Sequence, residues 1–390
     1  MQNQEIYDEL IAKFEAKYGQ KPQIVAYAPG RIEVLGNHTD YNEGYVFSAA
    51  IDKGTFFAVI PSADDTCELT AADLMETATF TTSTCAPAKE MTWQNYVNGT
   101  FNWLFDGNPA AAKHGWKGMF LGNIPLGAGL SSSAALEMCT ALALAKLYGI
   151  EKDKTALAKI GQKAEHTFAG CPCGLLDQAS SMYGQEGGLV KSDFRTNVFE
   201  TVSMGPAVSF MMVKSNAKHA LVDGAYASRR KACEDAAQHF AKVLRKPVTH
   251  LRDVTMAEWV LYRDGLDETT AKRAAHPIGE DERVLQGTAL LEKGDVKAFG
   301  ALMFDSHESS RHWFENSCEE LDLIVDTAKT IPEVYGARLS GGGFGGSCCL
   351  LVDPTAADKI AAAITAAYKA KFGDEPVCQL IKPSQGAHLI

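Results

Sequence analysis

Apolar positions in the first part of the chain change from helical spacing to the pattern of strands. Residues 7–18 carry apolar side chains three or four positions apart and Gly19 follows them, which predicts an amphipathic helix. Between residues 23 and 80, short runs of β-branched and aromatic residues predict strands at 24–27, 32–35 and 55–60. The chain therefore begins with one helix and continues as sheet.

The rest of the chain alternates between helical and extended patterns. In the middle we predict helices at 93–105, 134–148 and 156–168, and strands at 118–122, 188–191, 198–202 and 208–213. Helical periodicity then dominates residues 225–330, and the chain ends with strands at 336–340 and 347–352, a helix at 356–372 and a strand at 377–381. This pattern predicts an α+β fold. The length favours two domains, which we place at 1–205 and 206–390.

The composition and net charge of the chain indicate which kinds of molecule it can bind. Of the 390 residues, 46% are hydrophobic and 22% are charged, as in an ordinary soluble globular protein. The formal net charge of −11 disfavours nucleic acid and anionic membranes as partners, because both bind basic surfaces. No apolar stretch is long enough to cross a bilayer. We therefore expect small-molecule partners and a monomer.

The cysteines and the first residues of the chain indicate a compartment. The 10 cysteines have no paired metal-ligand spacing, which disfavours zinc. Residues 1–19 carry charges throughout and do not resemble a secretory signal. We expect reduced thiols in a cytoplasmic protein.

The segment 122–137 is the most informative part of the chain. It combines glycines with three consecutive serines directly before an apolar helical run. Glycine lets the backbone approach a ligand closely, and a helix N-terminus presents free N–H groups and a positive dipole end. The pattern predicts a phosphate-binding loop. The alternative is a flexible loop before a serine-capped helix. A Walker A loop is excluded, because no Gly-Lys-Ser/Thr follows the glycines.

A second segment, 28–44, brings Arg31, His38 and Asp40 together with several amides around two short strands. Such a density of planar donors and acceptors suits a sugar, because each sugar hydroxyl needs a hydrogen-bond partner. The alternative is a polar hairpin with ordinary turn residues.

A third segment, 164–178, contains a carboxylate in an apolar setting. A Pro/Gly break interrupts one helix and places Asp177 in the first turns of the next. The flanking residues Leu175 and Leu176 predict partial burial, which is costly for a carboxylate unless it is paired. The alternative is an aspartate that is favoured only by the dipole of its helix.

A fourth segment, 339–347, contains the pattern G-x-G-x-x-G from Gly341 to Gly346. That pattern indicates dinucleotide binding only where a helix follows it, and here a strand follows. We instead expect a backbone turn close to a nucleotide phosphate or to the first glycine loop. A plain surface loop is the alternative.

Taken together, these segments resemble the motifs of the GHMP kinases, and two of them resemble those of galactokinases in particular. Gly30-Arg31, Gly36 and the run 38–42 match the first galactokinase motif in register, and 164–178 is similar to the catalytic segment. The loop 125–137 and the glycine turn 341–346 match the second and third superfamily motifs, and Tyr226 with Arg229-Arg230 lies where galactokinases carry a Tyr and an Arg pair. The resemblance spans residues 23–353.

The resemblance implies a fold and an activity. The fold is an N-terminal ribosomal-S5-like domain with a left-handed βαβ unit, a C-terminal ferredoxin-like domain and an active site in the cleft between them. The activity is the ATP- and Mg²⁺-dependent phosphorylation of the anomeric hydroxyl of D-galactose, which gives galactose 1-phosphate and ADP.

The resemblance also implies roles for individual residues. Asp177 would face the anomeric hydroxyl, and Arg31 would keep it ionised and balance charge on the transferred phosphoryl group. Ser133 and Glu165 would hold Mg²⁺ through oxygen atoms. The residues implied to bind ATP are Gly127, Ala128, Gly129, Leu130, Ser131, Ser132 and Ser133. Those implied to line the sugar pocket are Asn37, His38, Asp40, Gly174 and Tyr226.

Two positions depart from the galactokinase motif. Residue 37 is Asn where galactokinases have the Glu that contacts the 6-hydroxyl, and residue 33 is Glu where they have Asn. We expect strand alternation to point Glu33 away from the pocket, which leaves Asn37 to contact the C6 substituent and to tolerate a carboxylate there. D-galactose is the expected main substrate. A 1-kinase for galacturonate, arabinose or N-acetylgalactosamine is an alternative, and so is a galactose sensor without catalysis.

Overall fold

A computed structural model of the chain describes residues 3–90, 92–125, 129–205, 207–217 and 222–390. Its helices are α1 (Asn3–Tyr18), α2 (Gln94–Leu104), α3 (Ser132–Tyr148), α4 (Lys154–Ala164), α5 (Leu176–Tyr183), α6 (Val222–Val243), α7 (Met256–Tyr262), α8 (Glu268–Glu292), α9 (Val296–Ser309), α10 (Glu319–Lys329) and α11 (Ala357–Phe372). Its strands are β1 (Ile24–Leu35), β2 (Tyr45–Pro61), β3 (Thr66–Ala71), β4 (Glu76–Thr81), β5 (Trp116–Gly122), β6 (Gly188–Asp193), β7 (Val198–Ser203), β8 (Ser209–Lys214), β9 (Val334–Ser340), β10 (Ser347–Val352), β11 (Val377–Ile381) and β12 (His388–Leu389).

The larger sheet carries the N-terminal part of the chain. Its strands follow the order β12-β1-β2-β5-β3-β4, and β6 and β7 extend it beside β2. Helices α2 to α5 cover one face, and α1 packs its apolar side on the other face against β1, β2 and β5. Strands β3 and β5 pair in parallel, and the other described pairs are antiparallel. Helices thus cover both faces of this sheet, and β1, which carries Arg31, lies between them.

The smaller sheet is antiparallel, with the order β11-β8-β10-β9. Apolar residues of α10 and α11 cover one of its faces and form a separate core. Helix α9 packs against β9, and α8 packs against α6 and α9. Strand β9 also meets β1, where the hydroxyl of Ser340 donates to the backbone oxygen of Glu33 at 3.3 Å. The two sheets therefore touch beside the predicted sugar segment.

Most elements predicted from the sequence are present with small shifts at their ends. The strands predicted at 24–27 and 32–35 form one continuous strand, β1, whose pairing with β2 shifts register twice. The helix predicted at 156–168 ends at Ala164, and a π-helical turn, Glu165–Ala169, follows it. Strand β12 was not predicted. It returns to the first sheet and pairs with Ala26 and Tyr27.

Both predicted halves have their own sheet, and the α+β fold class is confirmed. The first sheet includes β7, which ends at Ser203, and the second begins with β8 at Ser209. The domain boundary at residue 205 and the handedness of the βαβ unit stay predictions. None of the helices in the described part of the chain is long and apolar enough to span a membrane.

Candidate active site

A cleft of about 650 Å³ opens where the two halves meet. Strand β1 and the loop after it form one wall, the loop before α5 forms a second, and α6 and the turn after β9 complete it. The predicted site residues that line this cleft are Arg31, Asn37, His38, Asp40, Gly174, Asp177 and Tyr226. Segments 28–44 and 164–178, which are far apart in sequence, therefore line one cavity.

Asp177 is the second residue of α5, as the Pro/Gly break predicted. Two nitrogen atoms of Arg31, Nε and Nη2, each lie 2.7 Å from its Oδ1. The hydroxyl of Ser131 donates to Oδ2 at 2.5 Å. Asp177 is thus a paired carboxylate, with hydrogen bonds that hold its orientation toward the cleft, rather than one favoured by the helix dipole alone.

Arg31 connects this carboxylate to the predicted phosphate loop. The side-chain Nη1 of Arg31 donates to the backbone oxygen of Gly129 at 2.7 Å, and the backbone N–H of Arg31 donates to the backbone oxygen of Leu130 at 3.1 Å. A Cβ on Gly30 would lie 2.5 Å from the same Leu130 oxygen, so only glycine permits this approach. The loop and β1 are therefore held together at the residue that precedes Arg31.

The serine run lies at the N-terminus of α3. Ser131 has a left-handed backbone (φ 56°), and its side chain makes no capping hydrogen bond because it donates to Asp177 instead. Ser132 and Ser133 are the first two residues of α3, so their N–H groups lack partners from within the helix. This is the geometry of an anion site. Gly127 and Ala128 lie outside the described residues.

Ser133 and Glu165 come together across α3 and the π-helical turn. The Ser133 hydroxyl lies near the Glu165 carboxylate and lowers its pKa, but burial, the larger effect, raises that pKa above its ordinary value. A hydroxyl and a carboxylate near each other beside the predicted phosphate loop supply oxygen ligands that suit Mg²⁺, which takes its other ligands from water and phosphates. Ser133 and Glu165 therefore fit a Mg²⁺ ion, both in the type of their ligand atoms and in their position next to the predicted phosphate loop.

His38 has both ring nitrogens committed to the protein. Nε2 lies 3.2 Å from the Gly342 oxygen and Nδ1 lies 2.9 Å from the Tyr41 hydroxyl. Burial lowers the pKa of His38 to about 4, so the ring is neutral near pH 7. A carbonyl can only accept, and the proton is therefore on Nε2 while Nδ1 accepts from Tyr41. The ring also packs on Tyr226, with centroids 5.2 Å apart.

Asp40, which is predicted to bind the sugar, lines the cleft. Burial raises its pKa to about 6, and the negative charges of Glu33 and Asp177 add to the increase. Gly174 lies against it, since a Cβ at that position would come 2.0 Å from Asp40 Oδ2. The lack of a side chain at Gly174 thus makes room for this carboxylate.

Glu33 lines the same cleft, and the expectation that it points elsewhere is wrong. Residues two apart on a strand share a face, and Glu33 is two residues from Arg31. Strand alternation thus places Glu33 on the face of β1 that carries Arg31, whereas Asn37 lies beyond the end of β1 and after Gly36 (φ 92°). Spacing from Arg31 is the signal that would have found Glu33.

Asn37 also lines the cleft and is almost fully buried. Its Nδ2 donates to Glu33 Oε1 at 2.7 Å and to the Gly341 oxygen at 2.8 Å. The glycine turn thus lies against the sugar segment: the Gly341 and Gly342 oxygens accept from Asn37 and His38, respectively. A contact between this turn and nucleotide phosphate stays a prediction.

Comparisons with known proteins agree with this geometry. The galactokinase galactose-binding signature matches residues 12–61, the N-terminal domain of GHMP kinases matches 95–185, and their C-terminal domain matches 288–370. Human galactokinase is 36% identical over 361 residues, which cover 90% of this chain and 90% of that protein.

Solved structures show the same relationship. Lactococcus lactis galactokinase in complex with galactose superposes with a TM-score of 0.92 at 28% identity, covering 98% of this chain and 99% of that one. Methanococcus jannaschii mevalonate kinase superposes with a TM-score of 0.60 at 18% identity, over 93% of this chain and 98% of that one, which shows a shared fold. The motif-based resemblance is confirmed.

Proposed function

Because the chain belongs to the galactokinase family of GHMP kinases, we propose that it transfers the γ-phosphoryl group of ATP to the anomeric hydroxyl of D-galactose. The products are galactose 1-phosphate and ADP. The observation that carries this proposal is the Asp177 carboxylate, held by Arg31 and Ser131 in a cleft beside the phosphate loop.

Asp177 and Arg31 have complementary parts in the reaction. Asp177 accepts the hydrogen bond of the anomeric hydroxyl and takes its proton as the new oxygen–phosphorus bond forms and the bond to the ADP oxygen breaks. Arg31 lies between Asp177 and the Gly129 oxygen, so its charge is next to both the attacking oxygen and the phosphates. Phosphoryl transfer relies mainly on such positioning and charge stabilisation.

The start of α3 supports the nucleotide part of the proposal. The N–H groups of Ser132 and Ser133 point out of the helix terminus and can bind phosphate oxygens. Ser133 and Glu165 would hold Mg²⁺, which neutralises phosphate charge when bound. Asn37, His38, Asp40, Gly174 and Tyr226 form the sugar side of the cleft.

Release of ADP across a panel of sugars tests the proposal. Galactose, galacturonate, arabinose and N-acetylgalactosamine are each supplied with ATP and Mg²⁺. We expect the highest kcat/KM with galactose and a product phosphorylated at C1 by NMR. A higher kcat/KM with another sugar would reassign the substrate, and saturable galactose binding without ADP release would indicate a sensor.

We further propose that the enzyme acts as a cytoplasmic monomer. The use of ATP fits the cytoplasm, and ten free cysteine thiols, five of which are at least partly exposed to solvent, fit a reducing compartment. Light scattering coupled to size-exclusion chromatography tests the oligomeric state, with the chain mass of 42.0 kDa as the expected result.

A further inference from the structure

Glu33 is a cleft carboxylate to which the proposed function assigns no role. Its side chain is 6% exposed, and its Oε1 accepts hydrogen bonds from Asn37 Nδ2 at 2.7 Å and from Arg338 Nη1 at 3.2 Å. Within the described part of the chain, no hydrogen bond reaches Oε2. One oxygen of this carboxylate is thus fixed by the protein, and the other is available to a ligand in the cleft.

Asn37 offers the sugar no hydrogen-bond donor. Both hydrogens of its Nδ2 are used, one by Glu33 and one by the Gly341 oxygen. Its Oδ1 accepts from Asn316 Nδ2 at 3.1 Å. Since its amide is committed to the protein on both sides, Asn37 acts by holding Glu33.

Arg338 makes the position of Glu33 possible. This arginine is fully buried in β9, and its guanidinium lies beside Glu33, where it opposes the effect of burial on the carboxylate. An ion pair as deeply buried as this one contributes little net stability, because both charges lose their water. Structural support alone therefore gives a weak account of why a carboxylate is kept here.

Glu33 and Asn37 are the two positions at which the chain departs from the galactokinase motif, and their side chains touch. The motif has Asn at the first position and Glu at the second, and this chain has the reverse. An exchange between touching residues keeps one carboxylate and one amide in the same place. We propose that Glu33 is the residue that determines specificity at C6: its Oε2 accepts a hydrogen bond from the sugar's 6-hydroxyl, while Asn37 and Arg338 position it.

This inference rests on the proposed function and reverses the expectation drawn from Asn37. A negative acceptor favours a hydroxyl at C6 and repels a carboxylate there. The pocket would thus discriminate against galacturonate, as a pocket with Glu at residue 37 would. A sugar without the 6-hydroxyl would leave a buried acceptor unpaired.

Glu33→Gln tests the proposal through ratios of kcat/KM, which do not depend on the fraction of enzyme that is folded. The amide can keep the contacts to Asn37 and Arg338 while an uncharged NH₂ replaces Oε2. We expect the preference for galactose over 6-deoxygalactose to fall about tenfold, and the preference over galacturonate to fall at least as much. Unchanged ratios would overturn the proposal. Failure of the wild-type enzyme to phosphorylate galactose would instead refute the proposed function.

Two further variants keep the test decisive if Glu33→Gln does not fold. Glu33→Asp retains the charge and withdraws it by one methylene, and should also lower both preferences. The double exchange Glu33→Asn with Asn37→Glu should restore them to within about threefold of wild type. Ratios that stay at the wild-type value in Glu33→Asp, or at the Glu33→Gln value in the exchange, would contradict the assignment.

A matched control is Glu280→Gln. Glu280 is equally buried, accepts from the N–H groups of Gly36 and Asn37 and pairs with Arg283, but it does not line the cleft. Its substitution should lower the melting temperature and leave both ratios unchanged. If the ratios shift as they do in Glu33→Gln, general disturbance of the loop rather than contact with C6 explains the effect.

Discussion

Replacement of Asp177 by Asn separates the chemical role of this residue from its structural role. The substitution is isosteric, so no cavity forms. The amide oxygen can still accept from Arg31, and the NH₂ group can donate to the Ser131 hydroxyl once that hydroxyl turns from donor to acceptor. The three contacts are kept, and what is lost is the negative charge and the proton acceptor.

The size of the effect follows from these contacts. Conversion of charge-assisted hydrogen bonds to neutral ones costs on the order of 1–2 kcal/mol of folding stability. The loss of general-base assistance lowers kcat by about 10²–10⁴-fold, or roughly 3–5 kcal/mol of activation free energy. Arg31, 9% exposed at its side chain, would also keep its charge without a negative charge opposite it. We therefore expect a folded protein that turns over very slowly.

Coupled ADP release measures kcat, and thermal unfolding with nucleotide titration measures folding and ATP binding. Asp193→Asn is a matched control, because Asp193 pairs with Arg252 at 2.6 Å and is 19% exposed, close to the 24% of Asp177, but lies outside the cleft. It should lose stability and keep kcat. More than a tenth of the wild-type kcat in Asp177→Asn would remove this residue from the catalytic role.

Three further predictions concern the metal, the sugar pocket and pH. Glu165→Gln and Ser133→Ala should each raise the Mg²⁺ concentration needed for half-maximal rate, the first more strongly because it removes a charged ligand; unchanged values would refute the metal site. Gly174→Ala should raise the KM for galactose more than it lowers kcat, since its Cβ would displace Asp40, whereas Gly224→Ala, with open space around it, should leave both unchanged. The KM for galactose should rise as the pH falls below about 6, where Asp40 gains a proton, and an Asp40→Asn variant should lack this dependence when KM is measured across that range.

Local sequence patterns predicted most of the helices and strands and the position of Asp177 at the start of its helix. Helical spacing predicted α1, which buries one face, and continuous apolar runs predicted α3 and β10, which are buried along most of their length. The break before Leu176 predicted where Asp177 would lie. The family resemblance likewise grouped Asp177 with Arg31, which lines the same cleft, and with the serine run, whose Ser131 donates to Asp177.

Other features depend on contacts between distant parts of the chain, which no local pattern records. Arg338 and Asn316 reach the sugar segment from the C-terminal half, through bonds to Glu33 and Asn37. The sequence therefore showed that Glu33 and Asn37 exchange the residue types of the galactokinase motif, but it did not show that their side chains touch. The direction of Glu33 was misjudged for a different reason: its spacing of two residues from Arg31 on β1 is a local pattern that was not applied.

Strand β12 has a consequence for the order in which the protein can be assembled during translation. It covers the edge of β1, and the Ile390 N–H donates to the Val25 oxygen at 2.9 Å. A ribosome makes β1 early and β12 after nearly all other elements. This edge of β1 therefore stays unpaired while the second half of the chain is synthesised. An unpaired edge can associate with other strands. Nascent chains are thus exposed to misassembly along β1 until β12 has been made and has paired with it.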